Sequence, residues 1–313
     1  MIEREDYPRT SGTLLTSTSG QIKVILINCR LSNDFLQEAR FSNAIIYDYF
    51  IQLSGDRLIF IKIMVFKVAS KILVLGLDGA CYEWLLKFTP KTIEKITERG
   101  WYAIARSLIP PTTPVAWTSI FTGVWPTQHG IWNFYNITRG NIVNIYDSEY
   151  PLLWEILDEL NVPTTWLWIP MSHPVQKLSS KTTFFSGPPY PSGREVDAKL
   201  VKNSISPRDF RNSLLKKFDV IKLYSRSRSL KDLCKKIEVR GEVLKEVLKS
   251  GSKLVFSVIP ETDHVWHIFN SISIGMKVYR KADEIVEDLI LESARYNYEV
   301  VLVSDHGLSL IHI

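Results

Sequence analysis

Five side chains able to hold a divalent cation sit where apolar runs stop. Asp78 follows the run 71–77, Asp263 and His267 follow 253–259, and Asp305 and His306 follow 300–304. A short apolar run that stops at glycine or a polar pair reads as a strand buried on both faces. Open α/β sheets bind ligands just beyond the C-terminal ends of their strands. Taken singly, each acid has an ordinary alternative, because Asp is a favoured helix N-cap. Three strand ends carrying complementary ligands argue for a shared site instead. Asp263 and His267 are four apart and face the same way on a helical turn. Mixed imidazole and carboxylate ligands suit zinc, with Mn²⁺ or Fe²⁺ as alternatives. A set without cysteine fits a catalytic rather than a structural ion.

A fourth stretch, PPTTPVAWTSIFTG at 110–123, offers hydroxyls. Pro114 suits the first turn of a helix that ends at Gly123. Thr112 and Thr113 then lie at the helix N-terminus, where free backbone N–H groups and the helix dipole favour an anion or an alkoxide. His129, in a Gln-His-Gly loop, reads either as a support for this site or as a turn residue. His173 and His264 read as packed or solvent-facing. Trp117, Trp125 and Trp132 read as core, or as a platform for a substrate.

The elements that must position these residues follow from the pattern. Strands are expected at 71–77, 101–108, 164–168, 182–186, 253–259 and 300–304. Helices are expected at 82–98 (split by Pro90), 114–123, 151–160 and 278–292. Strands alternating with helices make an α/β fold with a mostly parallel sheet. Residues 190–250 are polar and basic and read as a cap or insertion, their charge forming a solvated face. Residues 1–63 look different. They hold a Ser/Thr/Gly-rich stretch and short apolar runs at 24–27, 44–51 and 58–65 without a clear period, and read as an N-terminal extension of uncertain structure. A natural start at Met64 is one expectation, since the first regular strand would then begin within a few residues.

Composition narrows the function classes. The 313 residues are 45% hydrophobic and 23% charged, with a net charge of +5, which is ordinary for a globular protein. No basic, aromatic-interleaved motif marks a nucleic-acid-binding module. Cys29, Cys81 and Cys234 are scattered, which argues against a disulfide framework and fits a reducing interior. No apolar run is long enough to span a membrane, and the N-terminus lacks the pattern of a signal peptide. A cytoplasmic location is therefore expected.

Several motifs, taken in order, resemble the type I phosphodiesterase/nucleotide pyrophosphatase family of the alkaline phosphatase superfamily. They are LVLGLDG at 73–79, PTTPVAWTSIFTG at 111–123, PTQHGI at 126–131, TDHVWH at 262–267 and VSDHG at 303–307. WIPMSHP at 168–174, followed by FSG at 185–187, is similar to archaeal and bacterial members. The resemblance covers about residues 70–313. It implies an alkaline-phosphatase-like three-layer α/β/α sandwich over residues 64–313, with the cap at about 190–250.

It also implies a metal-dependent hydrolase of phosphodiester or pyrophosphate bonds, acting on a small phosphate ester with two divalent cations, usually zinc. By motif, Asp78, Thr113, Asp305 and His306 would surround one ion, and Asp263 and His267 would hold the other. Thr113 would be the nucleophile, with Thr112 as its rival. Two departures stand out. Ala116 occupies the position where the nucleotide branch carries a phosphate-contacting Asn. The family's later His ligand to the second ion also has no counterpart, because His312 follows too soon after Gly307. The expectation is a chain shortened at its C-terminus relative to the family. That leaves open other superfamily chemistry (phosphomonoesterase, sulfatase, phosphomutase or phosphoglycol transferase), or a catalytically impaired fragment or binding protein.

Overall fold

The computed structural model describes residues 71–307 except 81, 90, 93–99, 137–139, 191–196 and 270. It also describes the strand backbones Ile22–Ile27, Ala44–Ile46 and Met64–Phe66. Cys29, Cys81 and His312 lie outside the described residues.

An eight-stranded sheet forms the middle layer. Its order is Ile205–Ser206, Thr182–Ser186, Thr164–Ile169, Leu254–Ile259, Lys71–Leu77, Tyr298–Val303, Ile22–Ile27 and Gly100–Ala105. All neighbours run parallel except the edge strand Ile205–Ser206, which pairs antiparallel with Phe184 and Phe185. Side chains alternate along each strand, so one sheet feeds two cores. Leu73, Leu75, Leu77, Val255, Ile259, Val300 and Leu302 point to one face. There they meet helices Leu230–Leu248 and Ile272–Arg295. Trp166, Phe184, Phe256 and Val258 point to the other, where Trp117, Phe121 and Trp154 cover them. Both faces are covered, which is the α/β/α layering expected of near-continuous apolar strands.

Two elements differ from the sequence pattern in an instructive way. Within 190–250, the helix Leu230–Leu248 is part of the layer rather than a polar cover. Ser229 caps it, its Oγ accepting from the Asp232 N–H at 3.1 Å. Leu233, Ile237, Val243, Leu244 and Val247 bury its apolar stripe. The many lysines on its other face hide that stripe in a composition count, although the 3–4 spacing carries it. Ahead of residue 64, Ile22–Ile27 enters the main sheet between Tyr298–Val303 and Gly100–Ala105. Its partners lie far away in sequence, so nothing local marks its place. Among the described residues no helix is long and apolar enough to cross a membrane.

A buried ion pair joins the helical layer to the strand ends. Arg240 grips Glu261 with two donors, Nε at 2.9 Å from Oε2 and Nη2 at 2.9 Å from Oε1. The guanidinium also lies over Trp168, 4.5 Å from the ring centre. Both charged side chains are buried, at 3% and 1% exposed. Glu261 opens the helix Glu261–Ile268, which carries Asp263 and His267. Glu261→Ala strands an unpaired buried guanidinium, and breaking such a pair costs about 3–5 kcal/mol. The expected outcome is a markedly lower urea midpoint with an unchanged slope, measured by circular dichroism.

Candidate metal centre

Parallel register brings three strand ends together. Ile259 pairs with Leu77 and Val303 with Gly76. The residues just beyond them therefore meet at the same edge of the sheet. Hydrogen bonds lock this edge. Asp78 N–H donates to the Ile259 carbonyl at 3.2 Å, and Thr262 Oγ1 donates to the Asp78 carbonyl at 2.6 Å. Ala80 N–H donates to Ser304 Oγ at 3.1 Å. Ser107 Oγ donates to the Asp305 carbonyl at 2.9 Å.

Gly79 makes the close approach possible. Its φ is +63°, and a Cβ there would stand 2.6 Å from Asp263 Oδ1. Only a residue without a side chain takes this backbone at no steric cost and lets that carboxylate pack against it. Its N–H donates to Asp305 Oδ1 at 3.1 Å.

The side chains converge on Asp78. Ligand-type atoms of Asp78, Asp305 and His306 all lie within 4.8 Å of one another, and all three residues are buried. His306 Nε2 is 3.2 Å from Asp305 Oδ2 and 3.7 Å from Asp78 Oδ1. Its Nδ1 lies 3.2 Å from the Gly307 carbonyl. A carbonyl only accepts, so Nδ1 carries the proton and a neutral ring leaves a lone pair on Nε2, facing the carboxylates. Thr113 Oγ1 sits 3.1 Å from that Nε2 and 3.4 Å from Asp78 Oδ1. The Thr112 hydroxyl is buried without a hydrogen-bond partner among the described residues. Thr113, not Thr112, faces the cluster.

Asp263 adjoins the same group, and its Oδ2 lies 3.1 Å from Nε2 of the exposed His267. Burial lifts the Asp78 and Asp305 carboxyls well above the usual carboxylate range, and neighbouring carboxylates push further the same way, Asp305 and Asp263 on Asp78 and Asp263 on Asp305. The hydrogen bond that His267 donates to the Asp263 carboxylate raises its imidazole above the usual 6.5.

This arrangement fits cations. Asp263 Oδ1 and Asp305 Oδ2 are buried acceptors without a hydrogen-bond donor. Crowded carboxylates with unused lone pairs are costly unless a positive charge joins them. Asp78, Asp305 and His306, with the Thr113 hydroxyl beside them, form one candidate group. Asp263 and His267 border it.

Three supports carried no motif-level role. Trp117 lies one helical turn beyond Thr113, and its indole Nε1 donates to Asp78 Oδ2 at 3.2 Å. It packs so close that a Cβ on Gly76 would meet its ring at 2.5 Å. The four-residue spacing from Thr113 was the available signal. Trp117 is core, whereas Trp125 and Trp132 are exposed at 38% and 46%. Ser304 and Thr262 had no signal, because their partners are distant in sequence.

Among the other histidines, His173 Nδ1 lies 3.0 Å from Ser204 Oγ and its ring packs against Tyr190. His264 is largely buried, which lowers its pKa. Neither joins the candidate group.

His129 is an anchor rather than a simple turn residue. Its Nδ1 accepts from the Ile131 N–H at 3.1 Å, and its Nε2 meets Ser119 Oγ at 2.8 Å. It thus ties the short helix Pro126–His129 to the helix Thr113–Thr122.

A sequence profile of the family described as "Type I phosphodiesterase / nucleotide pyrophosphatase" matches residues 72–312. No curated protein matches the chain.

Burial lowers the His129 pKa from 6.5 to about 4. Between those values the unfolded chain takes up a proton that the folded one refuses. The stability that His129 contributes is therefore full above 6.5 and drains as pH falls toward 4. The urea midpoint of the parent is expected to drop more steeply from pH 6.5 to 4 than that of His129→Gln. At pH 7.5 that variant should lose about 1–3 kcal/mol through unpaired buried partners.

Proposed function

The chain belongs to the type I phosphodiesterase/nucleotide pyrophosphatase family, hydrolases that act on phosphoric ester bonds, and we propose that it cleaves phosphodiester or pyrophosphate bonds with Thr113 as nucleophile. The observation that carries the assignment is the Thr113 hydroxyl, at the start of a helix and in contact with both His306 Nε2 and Asp78. Asp78, Asp305, His306 and Thr113 would hold one divalent cation, and Asp263 with His267 a second. Zinc is the best match to this donor set, and Mn²⁺ or Fe²⁺ the next. Such ions would lower the pKa of the threonine hydroxyl and balance charge on the leaving oxygen.

The chain's own residues supply the rest. The first turn of the helix Thr113–Thr122 directs backbone N–H groups of Thr113 and Val115 at the non-bridging phosphate oxygens. Pro114 between them has no N–H to offer. Trp117 holds the Asp78 carboxylate in place through its indole N–H. In the first step Oγ1 of Thr113 bonds to phosphorus, the bond to the leaving oxygen breaks, and the threonine proton passes to that leaving oxygen. In the second, water cleaves the phosphothreonine, freeing phosphate or its monoester and returning a proton to Oγ1. Ala116 is buried within this helix and offers no polar group, so no nucleotide preference is part of the proposal. A panel with monoesters and sulfate esters beside diesters separates this reading from related chemistry.

A generic aryl phosphodiester with added Zn²⁺ or Mn²⁺ tests the nucleophile. Thr113→Ala is expected to lose about 10³-fold or more in rate, and Thr113→Ser to retain a measurable part. Equal rates for Thr113→Ala and the parent would remove Thr113 from the role. Asp305→Asn separates the electrostatics from the chemistry. In chelator-treated protein it should raise Tm by a few degrees, because it deletes one of the crowded buried charges. It should also abolish the Tm increase expected of the parent on adding Zn²⁺.

A further inference from the structure

A cleft of about 280 Å³ opens between the loop after Pro174 and the segment 202–211. Lys177, Lys202, Arg208 and Arg211 line it, with the amides of Gln176 and Asn203, and among the described residues no carboxylate does. None of the candidate metal ligands contributes to its wall. Among the described residues, none of the four cations forms an ion pair. Asp209, next to Arg208, does not line the cleft.

The walls are built rather than loose. Val175 N–H donates to the Asn203 carbonyl at 2.8 Å, joining the two sides. Arg211 spends Nη1 on the carbonyls of Lys202 and Ile205, both at 3.3 Å, which fixes the guanidinium plane. Ile205, 1% exposed, forms part of the lining. Lys177, Lys202 and Arg208 are exposed and Arg211 is half-buried, and four like charges gathered around one concavity repel each other. An anion with several acceptor oxygens relieves that repulsion and satisfies the free donors together. Phosphate esters match both requirements.

We infer that this cleft binds a soluble, phosphate-bearing small molecule at a site separate from the metal centre. The lining contains no aromatic side chain on which a base would stack, and the volume suits a compact ligand. A single strand of nucleic acid needs a longer groove with stacking surfaces. The inference does not rest on Thr113 or on the cations.

Lysine acylation followed by mass spectrometry tests it in the intact chain, with inorganic phosphate as the probe and sodium chloride at matched ionic strength as the control. Phosphate is expected to slow labelling of Lys177 and Lys202 severalfold and to leave exposed Lys199 unchanged. In the doubly substituted Lys202→Ala, Arg208→Ala chain, the phosphate concentration that half-protects Lys177 should rise about tenfold or more. Equal protection of Lys199, or equal protection by chloride, would reduce the effect to general screening and overturn the site. So would an unchanged Lys177 curve in the double variant. Protection by vesicles containing phosphatidic acid, with none by free phosphate, would replace the small-molecule site with a lipid-facing surface and also overturn the inference.

Discussion

The candidate centre depends on one constraint, the parallel pairing of three neighbouring strands in near-equal register. Leu254–Ile259, Lys71–Leu77 and Tyr298–Val303 end within a residue or two of each other at one edge of the sheet. Parallel strands require long connections, so residues nearly 230 positions apart meet there. A shift of one residue in any of the three would turn its terminal side chain to the opposite face. The hydrogen bonds from Gly79 to Asp305, from Ala80 to Ser304 and from Thr262 to Asp78 hold that register where the ladder itself stops.

That register concentrates negative charge. Asp78 and Asp305 are buried, Asp263 lies against Gly79, and burial together with mutual repulsion opposes their ionisation. A protein built for stability alone would avoid this cluster, since buried polar groups without partners oppose folding. Among the described residues, Asp263 Oδ1 and Asp305 Oδ2 are left without donors. The strain is distributed into well-packed surroundings, with the Trp117 indole on one side and the strand-end hydroxyls on the other. Local cost of this kind, sustained by the rest of the fold, is the usual condition of a functional site.

The helical layer contributes more than cover. Arg240 and Glu261 connect the long helix Leu230–Leu248 to the short helix bearing Asp263 and His267. The cationic cleft takes one wall from the same excursion of the chain, residues 202–211, and the other from the loop after Pro174. The stretch 190–250 therefore has two characters. Its first half contributes one wall of a basic cleft at the edge strand Ile205–Ser206, and its second half is a core helix. A solvated face alone does not describe it.

Much of this was legible in the chain itself. The apolar runs ending at Gly76, Pro260 and Ser304 marked the central strands, and Pro114 and Gly123 bracketed the helix that presents Thr113. Gly123 indeed closes it in the left-handed conformation, with φ of 72°. The family and the layered α/β class followed from the ordered motifs. These are local properties, set by side-chain periodicity and by the backbone preferences of proline and glycine. Other features were decided only in three dimensions. The insertion of Ile22–Ile27 between two distant strands, the approach of the Thr113 hydroxyl to Asp78 and His306 and the indole bond to Asp78 all depend on contacts across the fold. So do the Arg240–Glu261 pair and the gathering of four cations in one cleft. Such contacts follow from register and packing between remote segments, and neither quantity is encoded within any single stretch of residues.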